Sequence, residues 1–530
     1  MKIAIIGSGL ASISAAKTLI DRGIKPTIID SGDVLETDRS EVVDRMSKQN
    51  AGDWNEADLR VINSNSTIRH KKSLPRKFAF GSDYFYGKAR QYQKVKFDKV
   101  IPPFSYAKGG FSSGWGAATL PPDDNDLTRW PIGNKELKPY FQKILSSFNY
   151  SAVDDGLSKI FPIYSKDYNA LKLSYANKEI LKSLDSYIKN NQTEHVLVGQ
   201  SRLLVQANNN HLGSGCRYCG QCLSGCVYGH IYKASIELDH LIASQEVDYI
   251  ANHLVLSLTE IDDKVEVLVK NTSTQSKDRL LFNKILLGAG AVNSTRIVLK
   301  SKSLYNINVR LHSTAGFVAP VFRLKKMDID WPNTNTQPAI FLEYKNDRQS
   351  NYWTHAQIST SNELIFARLG IDKNKKGLFQ WLKRTLIKHL VLVHVNIHSE
   401  FGDSYVLNLR KAKSISNDIL YSSYDQNRVT GKFISKSVLK LFNIFRKIGC
   451  IVILPAVQNS LGSGSFHVGA TMPMKNKPID ELDTNLLGVP KGWKNIHIID
   501  SSIFPSIPAT TIGLLIMANA ARIADKMKIE

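Results

Sequence analysis

The sequence predicts an α/β protein in which a parallel, nucleotide-binding sheet is joined to a discontinuous α+β domain with a mostly antiparallel sheet. Two observations predict this class. The chain opens with a short apolar strand, a glycine-rich turn and an Ala-rich helix. The same order recurs much later, where the predicted strands Lys284–Leu287 and 495–500 are each followed by small residues and then by a helix. Between them, apolar and polar residues alternate in several short segments, which is typical of antiparallel strands.

The length of 530 residues is too great for one compact core, so we expect two domains in close contact. Both are predicted to be discontinuous in sequence. Their expected segments are 1–45, 95–130, 205–310 and 460–530 for the nucleotide-binding domain, 131–204 and 311–459 for the substrate-binding domain, and 46–94 for an extension or lid.

The charge balance is strongly basic: 69 Lys and Arg residues face 47 Asp and Glu residues, a net charge of +22. The positive electrostatic field of such a charge favours an anionic partner, which could be a membrane surface, an acidic or phosphorylated substrate, or nucleic acid. Because no zinc-finger spacing or aromatic RNA-binding motif is present, nucleic acid is not expected. Alternatively, the basic residues form a solvated surface that binds no specific partner.

The N-terminus begins like a signal peptide, with Lys2 before an apolar run, but Gly7, Gly9 and Lys17 interrupt that run. A nucleotide-binding strand and turn explains the segment better. The sequence has no stretch of about 18 uncharged apolar residues, the length needed to span a bilayer. The expectation is a cytoplasmic protein, with the inner face of a membrane as a candidate peripheral surface.

The first turn has the features of a dinucleotide site. Gly7 permits a tight turn, Gly9 lets the backbone approach a pyrophosphate at the helix N-terminus, and Ser12 replaces the third glycine with another small residue. The next strand, 27–30, ends in Asp30, which is placed to accept hydrogen bonds from a ribose. This motif alone leaves FAD and NAD open.

Three distant segments add small residues where a backbone must run close to a flat ligand. One is glycine-rich around Trp115, one follows the strand Lys284–Leu287, and one follows the strand 495–500. The candidate cofactor contacts in these segments are Gly109, Gly110, Ser112, Trp115, Gly116, Gly288, Ala289, Gly290 and Asp500.

Taken together, these motifs resemble the glucose–methanol–choline family of flavoenzymes along the whole chain, and the Gly109–Thr119 stretch is most similar to the pyranose oxidase and membrane-dehydrogenase branches. The resemblance implies FAD and a p-hydroxybenzoate hydroxylase-like architecture with a Rossmann-like FAD-binding domain. It adds Val255 and Thr511 to the cofactor contacts. Some pyranose oxidases attach FAD through a His at the position of Gly114, so non-covalent FAD is implied here.

The resemblance also implies the chemistry. His467, in the segment Ser465–Met474, aligns with the family's base, which takes the hydroxyl proton of an alcohol while hydride passes to flavin N5. The family usually has a second His or Asn where this chain has Thr511. A threonine can bind the substrate oxygen but is no base near pH 7, which weakens the case for ordinary alcohol oxidation.

The resulting prediction is an FAD-dependent oxidoreductase that acts on the CH–OH group of a sugar or other secondary alcohol, with lipid-linked and phosphorylated alcohols as candidates. A dehydrogenase is favoured over an oxidase, and the electron acceptor is left open. Two alternatives remain: a flavin-dependent isomerase without net electron transfer, and a non-catalytic, membrane-associated electron-transfer flavoprotein.

Four of the five cysteines follow the spacing C-x-x-C-x-x-C-x-x-x-C, which is that of a bacterial ferredoxin run. An iron–sulfur cluster would carry electrons away from the flavin. A zinc site, an empty thiol cluster and plain buried thiols are the alternatives. The candidate ligands are Cys216, Cys219, Cys222 and Cys226.

Two segments, 378–390 and 438–448, are predicted to be basic amphipathic helices. Either could be a core helix or a helix that lies on a membrane surface. The second possibility is stronger for 378–390, because Lys373, Lys375 and Lys376 precede it.

Overall fold

The computed structural model describes residues 1–64, 78–87, 89–209, 214–346, 350–360, 362–371, 377–412, 418–460 and 465–529. Strands and helices alternate through the N-terminal and C-terminal thirds, and strands dominate the middle of the chain. The predicted α/β class is confirmed.

The strands of the described residues are short, most of them between three and nine residues long. In chain order they are β1 (Ile3–Ile6), β2 (Thr27–Ile29), β3 (Val95–Phe97), β4 (Val196–Gln200), β5 (Asp248–Ile250), β6 (His253–Ile261), β7 (Lys264–Asn271), β8 (Lys277–Phe282), β9 (Lys284–Leu287), β10 (Val309–Ser313), β11 (Ala315–Arg323), β12 (Ile340–Lys345), β13 (Trp353–Ser359), β14 (Leu390–Ile397), β15 (Ser404–Arg410), β16 (Ile419–Asp425), β17 (Cys450–Val452), β18 (Gln458–Asn459), β19 (Val468–Gly469) and β20 (Ile496–Ile498).

The helices of the same residues range from one turn to about five turns. In chain order they are α1 (Leu10–Asp21), α2 (Thr37–Ser47), α3 (Glu56–Ile62), α4 (Ala89–Tyr92), α5 (Asn134–Ser147), α6 (Tyr175–Asn191), α7 (Ala234–Ala243), α8 (Ala291–Ser301), α9 (Glu363–Leu369), α10 (Leu378–Ile387), α11 (Thr430–Lys447) and α12 (Gly513–Lys526).

The parallel sheet has the strand order β20-β9-β1-β2-β5, and each neighbouring pair runs in the same direction. All four residues of β1 are buried, as expected for a strand covered on both faces. α1 and α12 pack against each other in the core of this domain. The turns after β1, β2, β9 and β20 therefore meet at one edge of the sheet, where ligands bind in open α/β sheets.

A second sheet, here called the roof sheet, has the antiparallel order β17-β11-β14-β13-β12-β4, with β18 also paired to β11. Along each strand, successive side chains point to opposite faces of the sheet. One face is apolar and packs against α6 and α11 through side chains such as Leu342, Val393 and Val395. The opposite face bears the polar side chains of Glu343, His355, Gln357, His394 and Asn396.

The one mostly antiparallel sheet expected for the α+β domain is divided between two sheets, because the segments 405–409 and 419–424 do not join the roof sheet. β15 and β16 belong to a third sheet with the order β19-β10-β15-β16-β3. The physical reason is their apolar face: Leu407 and Leu420 pack against Leu299 of α8 and Leu256 of β6, and not against the helices behind the roof sheet.

A small antiparallel sheet follows β5 in the chain. It comprises β6, β7 and β8 and extends to Phe282. β5 is not part of this sheet, because it pairs in parallel with β2 and completes the nucleotide-binding sheet, where Thr27 faces Asp248.

The two amphipathic segments have opposite environments. α11 buries Leu441, Ile444 and Phe445 against the roof sheet, so it is a core helix. α10 buries Ile387 alone among its described residues and leaves its other large apolar side chains in solvent. The pattern in the sequence identified both helices but did not distinguish these environments.

We predict that Leu441→Ala lowers the free energy of unfolding by about 2–5 kcal/mol, because it leaves a cavity between α11 and the roof sheet. Leu439→Ala on the same helix is the matched control, since Leu439 is 59% exposed and its loss should change the free energy by no more than about 0.5 kcal/mol. Urea unfolding followed by tryptophan fluorescence measures both. Equal effects would contradict the assignment of α11 to the core.

Candidate functional site

One large cavity, of about 500 Å³, lies between the parallel sheet and the roof sheet. Its lower wall consists of the turns at the carboxyl ends of the parallel strands, and its upper wall includes the polar face of β13 and β14. Its size is within the range of about 300–1,000 Å³ that is usual for ligand sites. This cavity is the candidate functional site.

The turn after β1 forms one end of the cavity. Gly7 has a φ of +93°, and a Cβ at this position would lie 2.7 Å from the carbonyl oxygen of Gly288. Gly9 precedes the first turn of α1, and a Cβ there would meet no atom within 4 Å, although Gly9 lines the cavity. A side chain at position 7 would clash within the turn, and a side chain at position 9 would occupy part of the cavity. Glycine is therefore favoured at both positions for structural reasons.

Asp30 lies at the end of β2, is buried and lines the same end of the cavity. Ser8 donates a hydrogen bond to its carboxyl group and accepts one from the backbone of Gly109 at 2.9 Å. Burial raises the pKa of Asp30 to about 7, against the opposing effect of its hydrogen bond with Ser8. A buried carboxyl group beside this turn suits the hydroxyl groups of a ribose.

Asp500 follows β20 and links two loops of the site. One carboxyl oxygen accepts hydrogen bonds from Gly290 N at 2.9 Å and from Ser294 Oγ at 2.5 Å, and the other accepts from Ser502 Oγ at 2.6 Å. Burial raises the pKa of Asp500, while these hydrogen bonds lower it. The residue therefore fixes the N-terminus of α8 at the edge of the cavity.

The glycine-rich loop between 109 and 118 forms a side wall. Gly110, Ser112, Trp115 and Gly116 line the cavity. The Trp115 indole donates a hydrogen bond to the carbonyl oxygen of Tyr232 at 2.6 Å, which holds the loop against the segment before α7.

Gly114 in this loop has no room for a side chain. A Cβ at Gly114 would lie 2.3 Å from the ring of Phe85. The position at which some pyranose oxidases carry a histidine is thus filled by an aromatic ring from the segment 46–94. This steric exclusion agrees with non-covalent cofactor binding.

An aromatic wall, formed by Phe85, Phe111 and Phe466, closes the cavity near His467. The Phe111 and Phe466 rings are 5.3 Å apart, and those of Phe85 and Phe111 are 6.4 Å apart. Sequence reasoning missed this wall, because its members come from three distant parts of the chain, even though Phe111 and Phe466 lie within the segments 109–119 and 465–474.

His467 lies directly before β19 and lines the cavity. Its Nδ1 atom is buried and has no hydrogen-bond partner in the described part of the chain. Burial, followed by the charges of His394 and His355, lowers the pKa of His467 to about 4. The imidazole is therefore neutral at pH 7 and able to accept a proton.

His394 is a second imidazole in the cavity that the sequence analysis did not assign. It lies on β14 next to Gln357 of β13, and both line the cavity together with Asn396. Burial, together with the smaller effect of the charge of His355, lowers the pKa of His394 to about 4. The sequence contained a signal: the strand 390–397 is apolar except for polar residues at alternate positions 394 and 396.

Behind these residues lies a buried pair. His355 Nδ1 is 2.5 Å from Glu343 Oε1, and both side chains are fully buried. His355 Nε2 is 3.1 Å from the amide nitrogen of Gln357, which lines the cavity. The linked side chains of Glu343, His355 and Gln357 thus hold one another in place on the polar face of the roof sheet above the site.

Thr511 lines the cavity two residues before α12 begins. Its hydroxyl group donates a hydrogen bond to the carbonyl oxygen of Ala118 at 2.8 Å. Because that proton is already engaged, the Thr511 oxygen is left to accept a hydrogen bond from a ligand.

Three predicted cofactor residues do not line the cavity. Val255 packs its side chain into the core of the parallel domain, and its carbonyl oxygen accepts a hydrogen bond from Arg296 at 2.9 Å. Ser12 is buried against Gly288, which matches its expected packing role. Gly109 has a φ of +80° and supports the loop from outside.

The four cysteines lie near one another, since the pKa of the Cys222 thiol is raised first by burial and then also by the charges of Cys219, Cys216 and Cys226. Cys222 Sγ accepts a hydrogen bond from the backbone of Thr336, and Cys216 Sγ accepts one from Asn335. Burial raises the pKa of Cys219 to about 12, which favours the neutral thiol. Within the described ranges, no three His, Cys, Asp or Glu side chains are grouped to hold a metal ion. The iron–sulfur and zinc interpretations therefore gain no support.

A second, smaller cavity of about 340 Å³ is lined mostly by polar residues. Its charged residues are paired across it, Arg129 with Glu400 at 2.6 Å and Arg310 with Asp425 at 3.0 Å. It contains none of the glycine-rich turns, so the larger cavity remains the candidate site.

Comparison with solved structures shows a shared fold. The chain is similar to the crystal structure of pyridoxine 4-oxidase from Mesorbium loti, with a TM-score of 0.59 and 13% sequence identity over 99% of this chain and 98% of that chain. No protein-family profile and no curated protein sequence matches the chain. At this identity the likeness establishes the fold along the whole chain.

The cavity fits FAD in three respects. Gly9 and Gly290 have open space where a Cβ would be, so the backbone at the starts of α1 and α8 is accessible to a diphosphate. Asp30 lies where a ribose is expected. The buried, unpartnered Nδ1 of His467 lies along the same cavity. These residues would hold the group without a covalent bond.

We predict that Gly9→Val lowers FAD affinity at least about tenfold, because the new side chain enters the space beside the turn. Gly52→Val is the matched control: Gly52 is exposed, also has free space around its Cβ position, and does not line the cavity. Flavin fluorescence titration of apoprotein measures both affinities, and thermal unfolding checks the fold. Equal affinity in the Gly9 variant would place the cofactor elsewhere.

Proposed function

We propose that the protein is an FAD-dependent oxidoreductase that oxidises a CH–OH group, with His467 as the base. The observation that carries this proposal is the location of the His467 imidazole, neutral and with an unpartnered Nδ1, in the cavity that the glycine-rich turns border. The motifs that resemble the glucose–methanol–choline family support it.

The side chains around His467 suit proton removal from an alcohol. A neutral imidazole can accept the hydroxyl proton, and the Thr511 oxygen can accept a hydrogen bond that orients the alcohol. The aromatic wall lines the cavity beside the reacting group. Bound FAD would supply the oxidation itself by accepting the hydride from the carbon, so that a carbonyl product remains.

The shared fold agrees with this chemistry, since the structure to which the chain is similar is that of an oxidase of pyridoxine. The preference for a dehydrogenase rested on a cluster at the four cysteines. Because no metal-binding group is found among the described residues, we propose only that the alcohol reduces the flavin. The electron acceptor that reoxidises the flavin is to be identified by experiment.

The substrate class follows from the wall beside His467. Phe85, Phe111 and Phe466 present ring surfaces to the cavity, and such surfaces bind flat apolar groups or the C–H face of a sugar. We therefore propose an alcohol whose CH–OH carbon is attached to such a face. Aromatic alcohols and pyranoses are the two groups of compounds to be tested first.

We predict that a substrate from these groups bleaches the flavin under anaerobic conditions, and that His467→Asn slows this reduction by about 10²–10⁴-fold while FAD remains bound. The loss of the proton acceptor is the reason. Stopped-flow absorbance at the flavin band measures the rate, and flavin content of the purified variant measures binding.

The matched control is His240→Asn, because His240 is an exposed histidine on α7 that does not line the cavity. This variant should reduce the flavin at the wild-type rate. If His467→Asn also kept the wild-type rate, the assignment of the base would be rejected. If no alcohol bleached the wild-type flavin, the proposed reaction itself would fail.

The pH dependence of flavin reduction should reflect the lowered pKa of His467. The base acts when neutral, and its pKa of about 4 means that it is neutral at every pH above about 5. The reduction rate at saturating alcohol should therefore stay flat from about pH 8 to pH 5.5 and fall toward pH 4. Stopped-flow pH jumps measure this profile. An acid limb centred near the ordinary histidine value of about 6.5 would contradict the buried environment.

A further inference from the structure

α10 presents its apolar face to solvent. Five of its large apolar side chains are each close to half exposed or more, and on a helix of 3.6 residues per turn they occupy an arc of about 160°. They are Leu378 (68% exposed), Phe379 (77%), Trp381 (60%), Leu382 (48%) and Leu386 (47%).

The opposite face attaches the helix to the protein. The side-chain amide of Gln380 donates a hydrogen bond to the carbonyl oxygen of Gly370 at 3.0 Å, and the Lys383 amine lies 3.4 Å from the same oxygen. Ile387, on this side, is the buried member of the helix. The contacts therefore hold the polar side inward and leave the apolar side outward, the reverse of a core helix.

α11 shows that this orientation is not forced by composition. It is also basic and amphipathic, but it buries Leu441, Ile444 and Phe445 against the roof sheet. A contiguous apolar surface of the kind on α10 usually marks an interaction site.

Basic residues accompany the exposed face in the sequence. Lys383 and Arg384 lie on α10, Lys388 follows its last residue, and the sequence immediately before it contains Lys373, Lys375 and Lys376, which are outside the described residues. The end of β11 lies next to the end of α10, because Arg323 N donates a hydrogen bond to His389 O at 2.8 Å.

That strand end continues the same surface chemistry. Leu324 is 60% exposed, and the Lys325 side chain that follows it is 75% exposed. Exposed apolar groups and cations thus occur together on two adjacent elements.

From these observations we propose that α10 docks the protein on an anionic membrane surface. The apolar side chains enter the boundary between headgroups and acyl chains, and the lysines and arginine contact the lipid phosphates. In the described part of the chain no helix is both long and apolar enough to cross a bilayer, so the proposed helix lies in the plane of the surface. The inference is independent of the proposed reaction.

A second copy of the chain is a poorer occupant of this face. Two copies that met through α10 would bring two sets of basic residues together in a chain whose net charge is already +22. An anionic lipid surface complements that charge, whereas a copy of the protein repels it.

The experiment is cosedimentation of the purified full-length holoprotein with vesicles. Vesicles with about one quarter phosphatidylglycerol in phosphatidylcholine should bind the protein at least about tenfold more tightly than pure phosphatidylcholine, and about 0.5 M salt should weaken the binding. The double variant Phe379→Ser/Trp381→Ser should bind the anionic vesicles at least about tenfold more weakly.

Two controls make the test specific. Ile479→Ser removes an apolar side chain that is 66% exposed elsewhere on the surface, and it should bind like the wild type. Brominated lipid should quench the wild-type tryptophan fluorescence more than that of Trp381→Phe, which reports insertion of this residue.

The proposal is overturned if the wild type does not bind anionic vesicles, or if the double variant binds them as tightly as the wild type. It is also overturned if sedimentation velocity shows a wild-type dimer that the double variant loses while neither binds vesicles. Flavin content and flavin reduction by alcohol should be unchanged in the double variant.

Discussion

The close approach of two backbone turns at the edge of the parallel sheet is the constraint on which the site depends. The turns after β1 and β9 meet so closely that a Cβ on Gly7 would lie 2.7 Å from the Gly288 carbonyl oxygen. Ser12 packs against the same glycine, and Asp500 bonds the start of α8. These contacts bring the N-termini of α1 and α8 to one cavity, where the positive end of the α1 dipole favours a diphosphate.

The roof sheet completes that cavity because its strands have two different faces. The alternation that puts Val393 and Val395 into the core behind the sheet also puts His394 and Asn396 above the cavity. The Glu343–His355 pair adds order to the polar face, since it fixes Gln357 beside His394. Desolvation in this enclosed position keeps the His467 imidazole neutral, and a neutral imidazole is the form that a proton-accepting role requires.

The sequence predicted what local patterns determine. The parallel sheet and its glycine turns follow from short motifs whose geometry is set within a few residues, whereas His467 and Thr511, which line the cavity, were assigned from the family resemblance. Sequence reasoning failed where the outcome depends on distant segments. The partners of β15 and β16 and the Phe85 ring against Gly114 are both long-range results.

α10 and α11 show a further limit of what the sequence pattern can predict. An amphipathic pattern gives the angle between the apolar and polar faces, but it does not determine which face turns toward the protein. For α11 the apolar roof sheet supplies a partner for the apolar face. For α10 the polar side carries the attachments, because the carbonyl oxygen of Gly370 receives Gln380 and Lys383. In the part of the chain that the structure describes, the apolar face of α10 stays largely exposed, so a surface outside the protein would stabilise it.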